Sequence, residues 1–100
     1  MNIKSWWKRK AAESPLARVS RALLNDPGAR HFGYPLSQSS GVRYAKLLRV
    51  LDWMLDQGWL TDGWESAAEA DGRPPRRWYR PTPLGLDWLA DVIEHAGEES

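Results

Sequence analysis

Four arginines, Arg73, Arg76, Arg77 and Arg80, fall within eight residues and are interleaved with Trp78 and Tyr79. Guanidinium groups present planar forks of N–H donors that match phosphate oxygens and base edges, so this residue mix suits a polyanion. The carrier is the stretch DGRPPRRWYRPTPLG. Pro74 and Pro75 fix φ and reduce the entropy lost on ordering, which leaves Arg73 on a stiff tip suited to a narrow minor groove. Arg76 and Arg77 would then face phosphates. A purely solubilising basic turn fits the same residues.

Covalent chemistry has little to work with. The chain has no cysteine and only two histidines, His31 in a loop and His95 in an acidic tail. There is no Gly-x-Ser-x-Gly, no phosphate loop and no metal-ligand spacing. Catalysis, a metal and a cofactor are therefore not expected. A thiol-free chain suits a reducing cytoplasm, the expected location. The start, MNIKSWWKRK, is basic without the apolar centre of a signal peptide, and no apolar run is long enough to span a membrane.

The composition, 42% hydrophobic and 27% charged over 100 residues, is that of one globular domain. The net charge of +1 hides a strong polarity. Met1 to Arg49 carries ten Lys/Arg against Glu13 and Asp26, whereas Val50 to Ser100 carries four arginines against eleven acids. A basic surface facing a polyanion, with an acidic surface turned elsewhere, accounts for that division, and so does a solvated charge mosaic with no partner.

The elements that must position these charges follow from punctuation and period. Residues 1–13 read as a basic arm and 14–97 as the folded domain. Ser14 caps a helix opened by Pro15 and ended by the DPG at Asp26 to Gly28. A short helix is expected over Tyr34 to Ser39, stopped by Gly41. Val42 to Gln57 is the strongest helix, with Tyr44, Leu47, Leu48, Leu51, Met54 and Leu55 on one face and Val42, Lys46, Arg49 and Trp53 opposite. Gly58 ends it in a left-handed cap. Trp59 to Ser66 and Arg77 to Thr82 suit strands of a hairpin, with AAEADGRPP as the loop. A last helix follows at about 83–97, whose Leu86, Leu89, Val92 and Ile93 spread apolar surface wide enough to call for a partner. The fold expected is mainly α with a small two-stranded β-wing, a winged helix-turn-helix.

Over Pro15 to Gly85 the chain resembles the PadR-like transcriptional regulators. LLNDPGARHFGYPLS looks like that family's first helix, loop and second helix, and SGVRYAKLLRVLDWMLDQGWL like its turn and recognition helix. DGWE is similar to the first wing strand, and GRPPRRWYRPTPLG resembles the wing signature GRPxRxYxxTxxG. Where the family has Gly-Thr-Leu-Tyr-Pro, this chain reads AKLLR, Ala45 to Arg49.

The resemblance implies a regulator, most often a repressor, that binds double-stranded DNA with a recognition helix in the major groove. Expected base contacts are Arg43, Tyr44 and Lys46, with Arg49 reaching bases or phosphate, although Tyr44 also fits the apolar face. Expected phosphate contacts are Ser39, Ser40, Lys8, Arg9 and Lys10, and local capping bonds are the alternative for the serines. The wing contacts expected are Arg73, Arg76 and Arg77. Leu86, Leu89, Val92 and Ile93 are the expected homodimer interface. Trp59, Trp64, Trp78 and Trp88 read as core, and Trp53, on the outer helix face, as a dimer contact or a brace for the wing. Trp6 and Trp7 fit packing on the core or on a partner subunit. No sequence feature demands a small-molecule effector. A winged helix used for protein interaction, or for organising DNA without promoter control, is the alternative.

Overall fold

The computed structural model describes residues 13–96. The arm residues Trp6, Trp7, Lys8, Arg9 and Lys10 lie outside them.

Ser14 adopts extended geometry and its side chain accepts the Ala17 N–H, opening α1 (Pro15–Leu24) with Pro15 in the first turn. Ala17, Val19, Ser20 and Leu23 form its buried face, and the buried Ser20 hydroxyl is satisfied by the Leu16 carbonyl at 2.7 Å. A two-residue strand, β1 (His31–Phe32), leads directly into α2 (Gly33–Ser40). Pro35 sits in the first turn of α2, where a missing N–H costs nothing. Gly41, at φ 70°, closes the helix in the left-handed region.

The next element, α3 (Tyr44–Asp56), buries Leu47, Leu51 and Met54, one side chain per turn. It ends as expected at Gly58, whose φ is 77°. Trp59 donates to the Met54 carbonyl and Gly58 to the Leu55 carbonyl, the paired bonds of a Schellman cap. Then β2 (Leu60–Trp64) and β3 (Arg77–Pro81) pair antiparallel, from Leu60 opposite Pro81 to Trp64 opposite Arg77. The final helix is α5 (Pro83–His95), numbered so because a single turn, α4 (Ala67–Ala70), interrupts the hairpin connection.

Three expectations change here. The sheet has three strands in the order β1-β3-β2, because His31 and Phe32 pair with Tyr79 and Trp78. The hairpin connection is not all loop: Ser66 caps α4, accepting the Glu69 N–H while Glu69 accepts the Ser66 N–H. Val42, placed opposite the core by helical periodicity, precedes the helix and is buried.

Residues from every layer meet in one core, among them Leu23, Leu36, Leu51, Trp59, Tyr79 and Leu89. The join between hairpin and α5 is the tightest point. Thr82 accepts the Gly85 N–H, donates its hydroxyl proton to the Gly58 carbonyl at 2.7 Å, and sends its own N–H to Trp59. A Cβ on Gly85 would stand 1.8 Å from the Trp59 carbonyl oxygen, so only glycine fits. This explains the threonine and the final glycine of GRPPRRWYRPTPLG in terms of packing. No helix among the described residues is long and apolar enough to cross a membrane.

Candidate nucleic-acid interface

The head of α3 follows the turn Gly41–Arg43. Arg43 stands at the N-cap position, and it, Lys46 and Arg49 are all exposed. Among the described residues none of the three has an ion-pair partner. No acid occupies the first turn of this helix. Cations in the first turn of a helix oppose the macrodipole at a cost of about 0.3–1 kcal/mol each, so this term gives no reason to put Arg43 and Lys46 there. Tyr44 is 50% exposed. Its ring lies against Gly33, where an added Cβ would meet Tyr44 Cε2 at 3.0 Å, which fixes the ring outside the core.

The preceding turn divides the two expected serines. Ser40 is 7% exposed, and its Oγ accepts the Val42 N–H at 3.1 Å. That corrects its expected role: buried and engaged in holding the turn, its hydroxyl is not presented to a ligand. Ser39 is exposed, with only a long 3.4 Å bond to the Leu36 carbonyl.

The wing treats its arginines differently. Glu65, at the end of β2, has a side chain 5% exposed and accepts from both Arg73 and Arg76. Arg73 reaches it through both terminal nitrogens, at 2.6 and 2.9 Å. Arg76 reaches it through its backbone N–H at 2.9 Å and through Nε and Nη2 at 3.1 and 3.2 Å. The Arg73 and Arg76 guanidinium groups hold the Glu65 carboxyl far below the usual carboxylate range. Arg77 bonds Asp62 through Nε at 2.8 Å, which raises its own pKa. The expected wing contacts Arg73, Arg76 and Arg77 are therefore all ion-paired within the chain, although each keeps exposed atoms.

Aromatic rings set where these groups point. The Arg76 guanidinium lies 4.0 Å from the Phe32 ring centre, and Arg30 and Arg80 flank Trp78 at 5.7 and 5.4 Å. Trp78 itself lies across Gly63, where a Cβ would come within 2.5 Å of the indole. Arg30 also pairs with Glu69, which lowers that carboxyl to about 2. Arg80 has no ion-pair partner among the described residues.

Helix head and wing meet on one side of the molecule. A pocket of about 310 Å³ is lined by Tyr44 and Leu48 from α3, Phe32 and Gly33 from the β1–α2 junction, and Trp64, Arg76, Arg77 and Tyr79 from the wing. Trp64 on its wall is 67% exposed. The far half of α3 is unlike the head. There Asp52 and Asp56 border a cleft with Asp62 and Arg77, so cationic character is confined to the first turns.

The expected dimer residues divide as well. Leu89 is 0% exposed, a correction, because α5 packs along α1 and buries that side in the chain's own core. Leu86, Val92 and Ile93 are half-buried. The exposed apolar side chains of α5 are Leu84 and Trp88. Trp88 stacks on Trp59 at 5.8 Å, and Trp53 meets Trp59 edge-on at 5.0 Å. Trp53 thus braces Trp59 and not the wing. Of the four tryptophans expected in the core only Trp59 is buried; Trp78 is half-buried, and Trp64 and Trp88 are exposed.

Sequence reasoning missed Glu65 as the clamp of the wing and Trp64 as part of the shared pocket. The signal for Glu65 was an acid directly after the first wing strand, facing a basic second strand, but Asp62, Glu69 and Asp71 nearby carry the same signal. For Trp64 the sequence held none, since burial on either face of β2 fits its position.

This arrangement, three helices with a tight turn between the second and third, then a hairpin and a closing helix, is a winged helix-turn-helix. It is similar to the solved structure of a protein from Methanosarcina mazei Go1 described as a possible transcriptional regulator, with a TM-score of 0.57 and 16% identity. The match covers 80% of this chain and 62% of that one, so the chain spans about three-fifths of its neighbour. No protein-family model matches the chain, and no curated protein matches it.

Proposed function

We propose that the chain is a sequence-specific double-stranded DNA-binding transcriptional regulator without catalytic activity. The observation that carries this reading is the head of α3, where Arg43, Lys46 and Arg49 are exposed without ion-pair partners among the described residues, on the helix whose Tyr44 and Leu48 share a pocket with the wing. Arg43, Tyr44, Lys46 and Arg49 would meet base edges or flanking phosphates in the major groove, and the exposed edges of Arg73, Arg76 and Arg77 the adjacent backbone or minor groove. Repression and the PadR-like affinity belong to this reading and rest on the GRPPRRWYRPTPLG resemblance.

A homodimer is part of the same reading, with Leu84 and Trp88 of α5 and Trp53 of α3 as its exposed apolar surface. Two such heads would address half-sites about one helical turn apart. Sedimentation at tens of micromolar should show the dimer; a stable monomer removes it.

Duplex retardation by the purified protein, followed by selection of bound sites from random duplexes, tests the function. Binding that weakens steeply with salt and an enriched, roughly two-fold symmetric site are expected. No binding at low salt overturns the reading. The second reading, a protein-interaction module, is favoured by the same Trp53, Leu84 and Trp88 surface beside the acidic half of α3, and would show as retained partners with no enriched site.

A further inference from the structure

Between α1 and the end of α2 lies an open cleft of about 520 Å³, separate from the pocket shared by helix head and wing. We propose that this cleft seats one phosphate of a DNA backbone, held by Arg18 with the side chains of Gln38 and Ser39. The proposal rests on the DNA-binding reading and adds a contact from α1, an element outside the helix-turn-helix and the wing.

Arg18 carries the argument. It projects from α1 over the helix-turn-helix turn, with Nη2 only 3.1 Å from where a Cβ of Gly41 would stand. Gly41, at φ 70°, is left-handed, and the missing side chain leaves the guanidinium room to lie there. Among the described residues Arg18 has no ion-pair partner, whereas the neighbouring Arg21 is tied to Glu13 at 2.6 Å. The cleft therefore holds two guanidinium groups against one carboxylate, a net positive lining.

The remaining donors are placed for an anion. Gln38 and Ser39 are exposed on the opposite wall, and the Ser39 hydroxyl is held only by its 3.4 Å bond, which a phosphate oxygen can outcompete. An arginine fork, a hydroxyl and a side-chain amide make the donor set that phosphate oxygens accept from.

Location selects the source of the phosphate. Gly41 is two residues before Arg43, so the cleft opens beside the point where α3 begins. On the other side of α1, Leu16 lines a second, apolar groove with Lys46, Arg49 and Trp53. The first turns of α1 thus border both the turn and the cationic side of α3. A duplex engaged by that helix would run its backbone past Arg18.

Arg18→Gln should raise the Kd for selected and random duplexes alike by about five-fold and lower the log–log salt slope by about one. Arg18→Lys should keep the slope. Glu13→Gln should tighten both duplexes about two-fold by freeing Arg21, a gain that loss of structure does not produce. Circular dichroism confirms that the variants fold. In parallel, duplex and millimolar inorganic phosphate should shift the same amide signals, those of Gln38, Ser39 and Gly41, in the wild type and not in Arg18→Gln.

Wild-type binding with an Arg18→Gln variant unchanged in affinity and slope overturns the cleft proposal and leaves the DNA reading standing. Shifts with inorganic phosphate but not with duplex also overturn it, making the cleft a site for a free anion. A wild type that binds no duplex overturns both.

Discussion

The wing and the head of α3 carry the same kind of residue and treat it in opposite ways. In the wing, Arg73 and Arg76 converge on one nearly buried carboxylate and Arg77 takes a second, which leaves Arg80, beside Trp78, as the wing arginine without an ion pair among the described residues. At the helix head, Arg43, Lys46 and Arg49 are exposed and form no ion pair among the described residues. Charge serves architecture in the first region: Glu65 bridges the two sides of the wing connection and sets its shape before any ligand arrives. In the second, charge has no structural employer. A count of arginines overstates what the wing offers a polyanion and understates the importance of three cations on a helix.

The comparison is broken most severely by removing the free cations. Arg43→Ala combined with Lys46→Ala should raise the Kd for a selected duplex by about ten-fold or more per residue while random duplexes lose less, measured by fluorescence anisotropy. A smaller effect than that of the wing variants would reverse the assignment.

Glu65→Ala should come next. Releasing Arg73 and Arg76 makes the wing resemble the helix head, so binding to random duplexes should tighten and discrimination fall. The Arg76 amide, which donates to Glu65 Oε1, should exchange with deuterium much faster, whereas the amides of Leu51 and Met54 in α3 should not change.

Arg76→Ala alone should weaken all sequences modestly, by about two- to three-fold, because its charge is already partly compensated. Equal effects on selected and random duplexes are expected, with a slightly flatter salt slope.

Acid should act last and least. The Glu65 and Glu69 carboxyls are depressed on folding, Glu69 from 4.5 to about 2, so their ion pairs are fully formed above the unfolded value. Their contribution is lost only as pH falls through the folded values. Between pH 8 and 5 the exchange rate of the Arg76 amide, corrected for intrinsic chemistry, should be flat, and protection should fall only below about pH 4.

Local punctuation made much of the fold legible. Ser14–Pro15, Gly41 and Gly58 each fix a helix end by a cap or a positive φ that depends on neighbours alone. The Pro81-Thr-Pro83 exit behaved the same way, because Thr82 caps the helix it precedes. Elements too short to show a period were not legible. β1 has two residues, too few for alternation, and exists only because β3 lies beside it. The single turn of α4 did have a signature, Ser66 followed three residues later by Glu69, but Gly72 and the two prolines after it mark the same stretch as loop.

At the site, residue types were readable and availability was not. Lys46, Arg49 and Trp53 were expected on the outer side of α3 from helical spacing and are exposed there, whereas Val42, expected beside them, is buried ahead of the helix. The pairing of Arg76 with Glu65 spans eleven positions and depends on how the hairpin connection turns back, which no spacing encodes. Leu89 was placed at an interface because α5 looked too apolar for one face, when α1 was the surface it needed.

Chemical-shift mapping of the labelled protein against a selected duplex tests the central claim most directly. The account predicts that perturbed amides cluster in residues 38–49, with a smaller set at 73–77, and that α5 is silent apart from any dimer effect. Shifts concentrated at Trp53, Leu84 and Trp88, with the head of α3 unmoved, would contradict it.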